Sequence, residues 1–324
     1  MTYLLRRLAF YLLSAWVSLT VNFAVPRLAP GDPASALQLR FQGRLEPEAL
    51  EAMKRAFGYV DAPLVQQYFS YVKGLLRGDL GISVSYFPER VTTMIGEGLF
   101  WTVLLSGASV LSSFALGSLL GATLAFRRGS KADTLVPPIL TFLGAFPYFW
   151  LAMLLLYAFG FELGWLPVRH AYADHLEPGW SLDFVRSVLT HALLPGVSIV
   201  LTSVGAWVLA MRSNLMSTLS EDYVLLAVAK GLSPRRVLYR YAVRSAVLPS
   251  ITGFGMALGF VLSGSLLTEI VFSYPGQGYL LYQAVKNQDY PLMQGLFLAI
   301  TMAVLLANLL VDVATLALDP RLRR

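Results

Sequence analysis

Residues 100–126 read FWTVLLSGASVLSSFALGSLLGATLAF, from Phe100 to Phe126, without one charged side chain. A helix needs about 20 predominantly apolar residues to cross the hydrocarbon core of a bilayer, so this run is long enough alone. Five more uncharged stretches accompany it, at 8–26, 135–161, 192–211, 245–268 and 291–311. None alternates apolar and polar residues as barrel strands do, and backbone polar groups in hydrocarbon must be satisfied internally, so all six read as helices. The whole chain agrees: of 324 residues 56% are hydrophobic and 14% charged, with mean hydropathy +0.61. That is too few charges to cover a water-facing surface, which excludes a soluble enzyme, a disordered chain and a coiled coil. With no cysteine, neither disulfides nor thiolate chemistry enters.

Six spans put both ends on one side. The first follows Arg6 and Arg7, but its apolar run exceeds a signal-peptide core and no small-residue cleavage site follows, so it reads as an uncleaved helix. With the N-terminus inside, the inner segments hold fourteen Lys and Arg against five acids, and the outer ones eleven against fourteen. The densest short basic segments then fall inside, so the rule for basic loops gives N-in, C-in. Pro137, Pro138 and Pro147 in the third span and Gly253, Gly255, Gly259 and Gly264 in the fifth permit kinks or close packing.

The long outer loop after the first span carries apolar residues at helical spacing over 45–57 and 64–76, which predicts two short amphipathic helices. The run Gly78-Asp79-Leu80-Gly81 ends the second of them. The inner segment between the fourth and fifth spans says more. Glu221 and Asp222 open a short helix at the positive end of its dipole, and Gly231 ends it as a left-handed cap residue. Ser233 then caps a second helix, with Pro234 at its first position, expected to run to Leu248. On that helix Arg236, Arg240 and Arg244 form a basic stripe, suited to anionic lipid headgroups or to a cytoplasmic partner. Small Ala227 and Ala229 before the corner would let a partner's groove approach the backbone. A DNA-binding helix-turn-helix is a poor reading, because two membrane spans pin the unit.

The stretch Glu221-Asp222-Tyr223-Val224-Leu225-Leu226-Ala227-Val228-Ala229-Lys230-Gly231-Leu232, with Leu248-Pro249 beyond it, resembles the EAA-type coupling loop of ABC importer permeases. More narrowly, the chain resembles the dipeptide and oligopeptide permease subunits of the "B" type along nearly its whole length. Pro30-Gly31-Asp32-Pro33, the Gly78 to Ser83 run, Gly164-Trp165-Leu166-Pro167, the Phe272 to Gly278 run, Asp289-Tyr290-Pro291, Asn308 to Asp312 and Asp319-Pro320-Arg321 are all similar to that family, in order and spacing. Leu225, Leu226 and Val228 depart from it, since relatives usually carry polar or basic residues there.

The resemblance implies a type I ABC importer permease fold in the cytoplasmic (inner) membrane. It also implies a homologous second permease subunit, two cytoplasmic ATPase subunits and an extracytoplasmic substrate-binding protein delivering dipeptides or oligopeptides. Relatives that carry nickel chelates or oligosaccharides keep those cargoes open. Asp222, Tyr223, Ala227, Ala229, Lys230, Gly231, Leu232 and Arg235 would couple to the ATPases. Tyr274, Pro275, Gly276 and Gly278 would form an outer gate or meet the binding protein. The expected parts are residues 1–30 (N-terminus and first span), 31–97 (outer loop), 98–318 (a core of five spans with the coupling loop at 212–248) and 319–324 (tail).

The sequence has no Gly-x-x-x-x-Gly-Lys-Ser/Thr loop to cradle nucleotide phosphates in the usual way, consistent with the ATP hydrolysis that the resemblance assigns to partner subunits. An intramembrane enzyme would need a buried nucleophile, base or metal cluster, and His170, His175 and His191 all lie outside or at the mouth of the fourth span. No catalytic residue, cofactor or metal site is assigned. An ion-coupled secondary transporter would place ionisable residues at mid-membrane, whereas Glu97, Glu162, Glu269 and Asp312 sit only at span edges. Pro147, Tyr148, Ser263, Ser265 and Glu269 are the candidates for lining a pathway, against the alternative of helix packing.

Overall fold

The computed structural model describes residues 2–28, 62–261 and 266–318. The expected loop helix at 45–57, the tail at 319–324 and both Ser263 and Ser265 fall outside these residues. Apart from one isolated antiparallel bridge, Ile82 to Arg90, the described regular structure is helical.

The helices are α1 (Thr2–Leu28), α2 (Leu64–Leu76), α3 (Val91–Phe126), α4 (Lys131–Gly144), α5 (Tyr148–Glu162), α6 (Leu182–Leu219), α7 (Asp222–Ala229), α8 (residues 234–261), α9 (Leu266–Val271), α10 (Gln277–Lys286) and α11 (Tyr290–Leu318). Four contain stretches long and apolar enough to cross a membrane: Arg7–Val25, Val91–Phe126, Leu182–Leu219 and Tyr290–Leu309. Helix α2 appears where the apolar spacing puts it. Helices α3 and α6 outrun their apolar cores; the 38 residues of α6 make a helix about 57 Å long, against roughly 30 Å of hydrocarbon.

Two expectations change here. The apolar run 135–161 is not one rod: α4 and α5 meet at 95° across Ala145-Phe146-Pro147. Proline disfavours helical backbone in the residue before it, and Pro147 starts α5 as its N-cap residue. Pro137 and Pro138 stay inside α4. Conversely, the helix that begins at Pro234 does not stop at Leu248. It passes through a π-helical stretch, Val237–Ala242, and on through Pro249 to Val261. Ser233 has the extended backbone of a cap, but its side chain makes no capping hydrogen bond.

The chain divides into two compact units, residues 1–101 with 275–309 and residues 102–274 with 310–324. In the first, Phe23 packs edge-on to Tyr68 of α2, and Asn22 Nδ2 donates to the Gln294 carbonyl of α11 at 2.8 Å. Val91, Ile95, Ala284, Leu292 and Leu296 form its apolar centre. Asp289 sits fully buried just before α11. It accepts from Ser83 Oγ at 2.5 Å, Ser85 N at 2.8 Å and Leu292 N at 3.2 Å, so one carboxylate caps α11 and pins the 83–85 segment to it.

The second unit is built around α6. Ser109, Ser113, Gly117, Gly121 and Ala125 recur every fourth residue on α3, all buried. Small residues at that period let two backbones approach, the usual means of helix packing where lipid removes the hydrophobic drive. The approach is close: a Cβ on Gly121 would stand 2.5 Å from the Val208 carbonyl oxygen of α6. Ser113 Oγ lies 2.8 Å from Ser203 Oγ across the same contact. Large apolar side chains point outward instead, Leu119 63% and Phe142 64% exposed. At this contact small residues lie inside and large ones outside, the reverse of a water-soluble core, which suits a lipid surround.

Candidate functional site: an apolar helix corner and its supports

Helix α7 and the corner after it form the most sharply built surface feature. Glu221 is the N-cap residue and Asp222 occupies the first turn, where an acid meets the helix dipole favourably. At the other end the Gly231 N–H donates to the Val228 carbonyl at 2.9 Å and the Leu232 N–H to the Ala227 carbonyl at 3.3 Å. Gly231 lies at φ +75°, so these two bonds and the left-handed residue make a Schellman stop.

Beneath the corner, Val224 and Ala227 join Met211, Leu215, Val237, Leu238, Ala242 and Ala246 in one buried cluster, with Leu232 packed against it. Ala227 therefore faces inward, into this cluster, while Ala229 faces outward. The outward side of α7 carries Tyr223, Leu225, Leu226 and Val228, each exposed by 41–58%. Asp222, Ala229, Lys230, Gly231 and Arg235 are exposed around them, as are Arg236, Arg240 and Arg244 on α8. Four large apolar side chains on an eight-residue surface helix, rimmed by charge, have the make-up of a protein contact.

One ion pair stands close by. Arg212 of α6 addresses Asp133 of α4 through two parallel contacts, Nε to Oδ1 at 2.6 Å and Nη2 to Oδ2 at 3.0 Å. Asp133 is nearly buried, and its Oδ2 also accepts from Gly129 N at 3.1 Å. In the sequence these residues read only as loop charges. They lie 79 positions apart, and no local spacing links them.

In the turn after α9, Tyr274, Gly276 and Gly278 are buried and Pro275 is half-buried. Glu269 is fully buried too, and its Oε1 accepts from Thr102 Oγ1 at 2.8 Å. The Tyr274 N–H donates to the Glu269 carbonyl at 2.8 Å. Burial, and after it the neighbouring Glu269, pushes the Tyr274 hydroxyl above the ordinary tyrosine range. Pro147 and Tyr148 stand exposed at the break between α4 and α5.

Two of the three histidines engage in local contacts. His170 Nδ1 lies 2.7 Å from Asp174 Oδ1, and this hydrogen bond holds the Asp174 carboxyl below its ordinary value. His191 Nδ1 lies 2.7 Å from the Ser187 carbonyl oxygen. Among the described residues no group of three or more His, Asp or Glu is placed to hold a metal.

Among the described residues the structure is helical, with outward apolar faces and several membrane-length helices, and together with the family match that follows this makes a multi-pass protein of the cytoplasmic membrane. Residues 117–324 match the family model described as "Binding-protein-dependent transport system inner membrane component". The chain belongs to that family of membrane permease subunits. It is 34% identical to the di/tripeptide transport system permease protein DppB of Pseudomonas aeruginosa, over all of this chain and 99% of that one. It is 30% identical to the dipeptide transport system permease protein DppB of Lactococcus lactis, over 99% of each. It is 31% identical to the glutathione transport system permease protein GsiC of Escherichia coli, over all of this chain and 99% of that one.

Proposed function

We propose that this chain is the transmembrane subunit forming half of the pathway of an ATP-driven importer for short peptides. The observation that carries the cargo is full-length similarity to permeases named for dipeptides, di/tripeptides and glutathione. In this reading the chain has six spans with both ends inside, residues 131–162 counting as one broken span and α8 supplying the fifth. A homologous permease, two cytoplasmic ATPases and an extracytoplasmic binding protein complete the complex.

The exposed face of α7 is the proposed seat of an ATPase, with Tyr223, Leu225, Leu226 and Val228 at its centre and Asp222, Ala229, Lys230 and Arg235 at its rim. The corner at Gly231 and Leu232 sets its angle, and Ala227 supports it from beneath. Its apolar centre makes this seat a dry one. The 274–278 turn acts as a buried support of the outer gate, and Pro147 and Tyr148 face the pathway.

Pull-down of the tagged chain in mild detergent tests this reading. A second permease and nucleotide-binding subunits should arrive together and hydrolyse ATP, and a chain that purifies folded but alone would refute it. Leu226→Glu alters only the exposed face, so the chain should remain folded in the membrane while ATPase recovery falls at least about tenfold, the loss of one central contact.

Gly231 tests the corner independently. No atom lies within 4 Å of where its Cβ would be, so a substitution there acts through backbone conformation alone. A left-handed valine costs roughly 1–2 kcal/mol, whereas asparagine enters that region readily. Gly231→Val is expected to uncouple ATP hydrolysis from uptake, and Gly231→Asn to retain coupling. The ratio of peptide taken up to ATP hydrolysed reads the difference.

A further inference from the structure

We propose that Asp133 and Arg212 are a positioning pair that locks α4 to α6, so that displacement of the α7 corner reaches the break at Ala145-Phe146-Pro147. The proposal rests on the permease reading above.

Three contacts run along the two helices. Arg212 grips Asp133 with both arms of its fork. Seven residues further along α4 and seven back along α6, a Cβ on Gly205 would stand 2.8 Å from the Leu140 carbonyl oxygen. Next to the break, a Cβ on Gly144 would stand 3.1 Å from the Thr202 carbonyl oxygen. The pairing is antiparallel and runs from the first turn of α4 to its last residue. Two of these contacts are close backbone approaches at glycine, which guide sliding but do not stop it. Packed helices slide readily past one another in shear motions. The ion pair is the element that fixes register, because a guanidinium and a carboxylate in bidentate contact define both distance and orientation.

Each partner is tied to a moving part. Arg212 follows Met211 on α6, and Met211 and Leu215 share the buried cluster with Val224 and Ala227 of α7. A push on α7 is therefore delivered to the turn of α6 that carries Arg212. Asp133 belongs to the stiff start of α4: Ser130 Oγ accepts from its N–H at 3.2 Å, and its carboxylate accepts from Gly129 N. What α6 does at residue 212, α4 follows, and α4 ends at the break. Separating the pair would leave a charge in a nearly buried place, so the two helices do not part cheaply.

The test uses the whole complex, with ATP and vanadate as the probe. The chain has no cysteine, so in this subunit Ala145→Cys reports the break alone. In the otherwise unchanged chain, trapping with ATP and vanadate should change the maleimide labelling rate at position 145 about tenfold, within the usual range of coupling between sites. Asp133→Asn and Arg212→Lys should abolish that change while the complex still assembles and hydrolyses ATP. The exchanged pair D133R with R212D should recover part of it. Arg212→Lys keeps the charge and loses the fork, and it carries the test if Asp133→Asn does not assemble.

A wild-type response in either single variant overturns the tie. So does a trapped complex in which position 145 never responds. A chain that captures no ATPase refutes the permease reading, and the tie with it.

Discussion

Gly121→Leu is expected to leave a chain that inserts but does not pack, recovered from detergent as aggregate. A Cβ at that position would lie 2.5 Å from the Val208 carbonyl oxygen, 3.0 Å from Met211 Cβ and 3.1 Å from Arg212 N. Two of those three atoms are backbone of α6, which cannot swing aside as a flexible side chain would. Gly117 is in the same position against Trp207 Cβ and the Val204 carbonyl oxygen. Overpacking a well-filled core costs about 1–3 kcal/mol, and here a four-carbon side chain meets backbone, so we expect the upper end or more. The damage would not stay local, because α6 is also the surface on which α4 and α8 are laid and from which α7 hangs. Leu120→Ala is the control: the adjacent residue is 43% exposed, on the outward side, and should be tolerated. Size-exclusion chromatography of the two variants, purified side by side, distinguishes them. A monodisperse Gly121→Leu protein would show that α3 and α6 do not pack as described.

Asp289→Ala should have the second-largest effect. Its carboxylate is fully buried and accepts three hydrogen bonds, from the Ser83 hydroxyl and from the Ser85 and Leu292 N–H groups. Alanine would leave all three donors without that acceptor, and each buried unsatisfied group costs about 1–3 kcal/mol. Partial relaxation and water entry temper the sum, leaving about 3 kcal/mol or more. The segment before α3 should then loosen, because Ser83 and Ser85 lose their anchor to α11. Asp289→Asn keeps the shape and one acceptor oxygen, so it should lie between wild type and alanine. Limited proteolysis between Gly78 and Arg90 ranks the three proteins. Equal protection in all three would mean the carboxylate contributes little.

The parts of this molecule that were legible from sequence are those whose cause is local. An acid pair, a glycine and a proline within fourteen residues suffice to specify α7 and its corner, because caps act over one helical turn. The stripe on α2 was legible for the same reason. The break before Pro147 carried a signal too, in the residue preceding a proline. But Pro137 and Pro138 carry comparable signals and stay inside their helix, which packs closely against α6 at Leu140 and Gly144. The four-residue period of Ser109, Ser113, Gly117, Gly121 and Ala125 was also present in the letters; it was hidden inside a run whose apolarity drew the eye first. The inward turn of Ala227, the burial of Glu269 and the meeting of Asp133 with Arg212 depend on elements distant in sequence, and no spacing rule reaches them.

The broken span has a consequence for water. Helix α4 has 14 residues and α5 has 15, each about 21–23 Å long by the ordinary rise per residue, so neither alone crosses about 30 Å of hydrocarbon. If together they make one span, their junction lies within the depth of the membrane. The first N–H groups of any helix lack partners in that helix, and a bend of 95° also frees carbonyls from the ladder. Lipid tails offer such groups nothing, so the junction is hydrated or covered by protein wherever it stands. Where it is hydrated, an elbow at that depth, next to exposed Tyr148, would give a peptide's own amide groups something to exchange their water for on the way through.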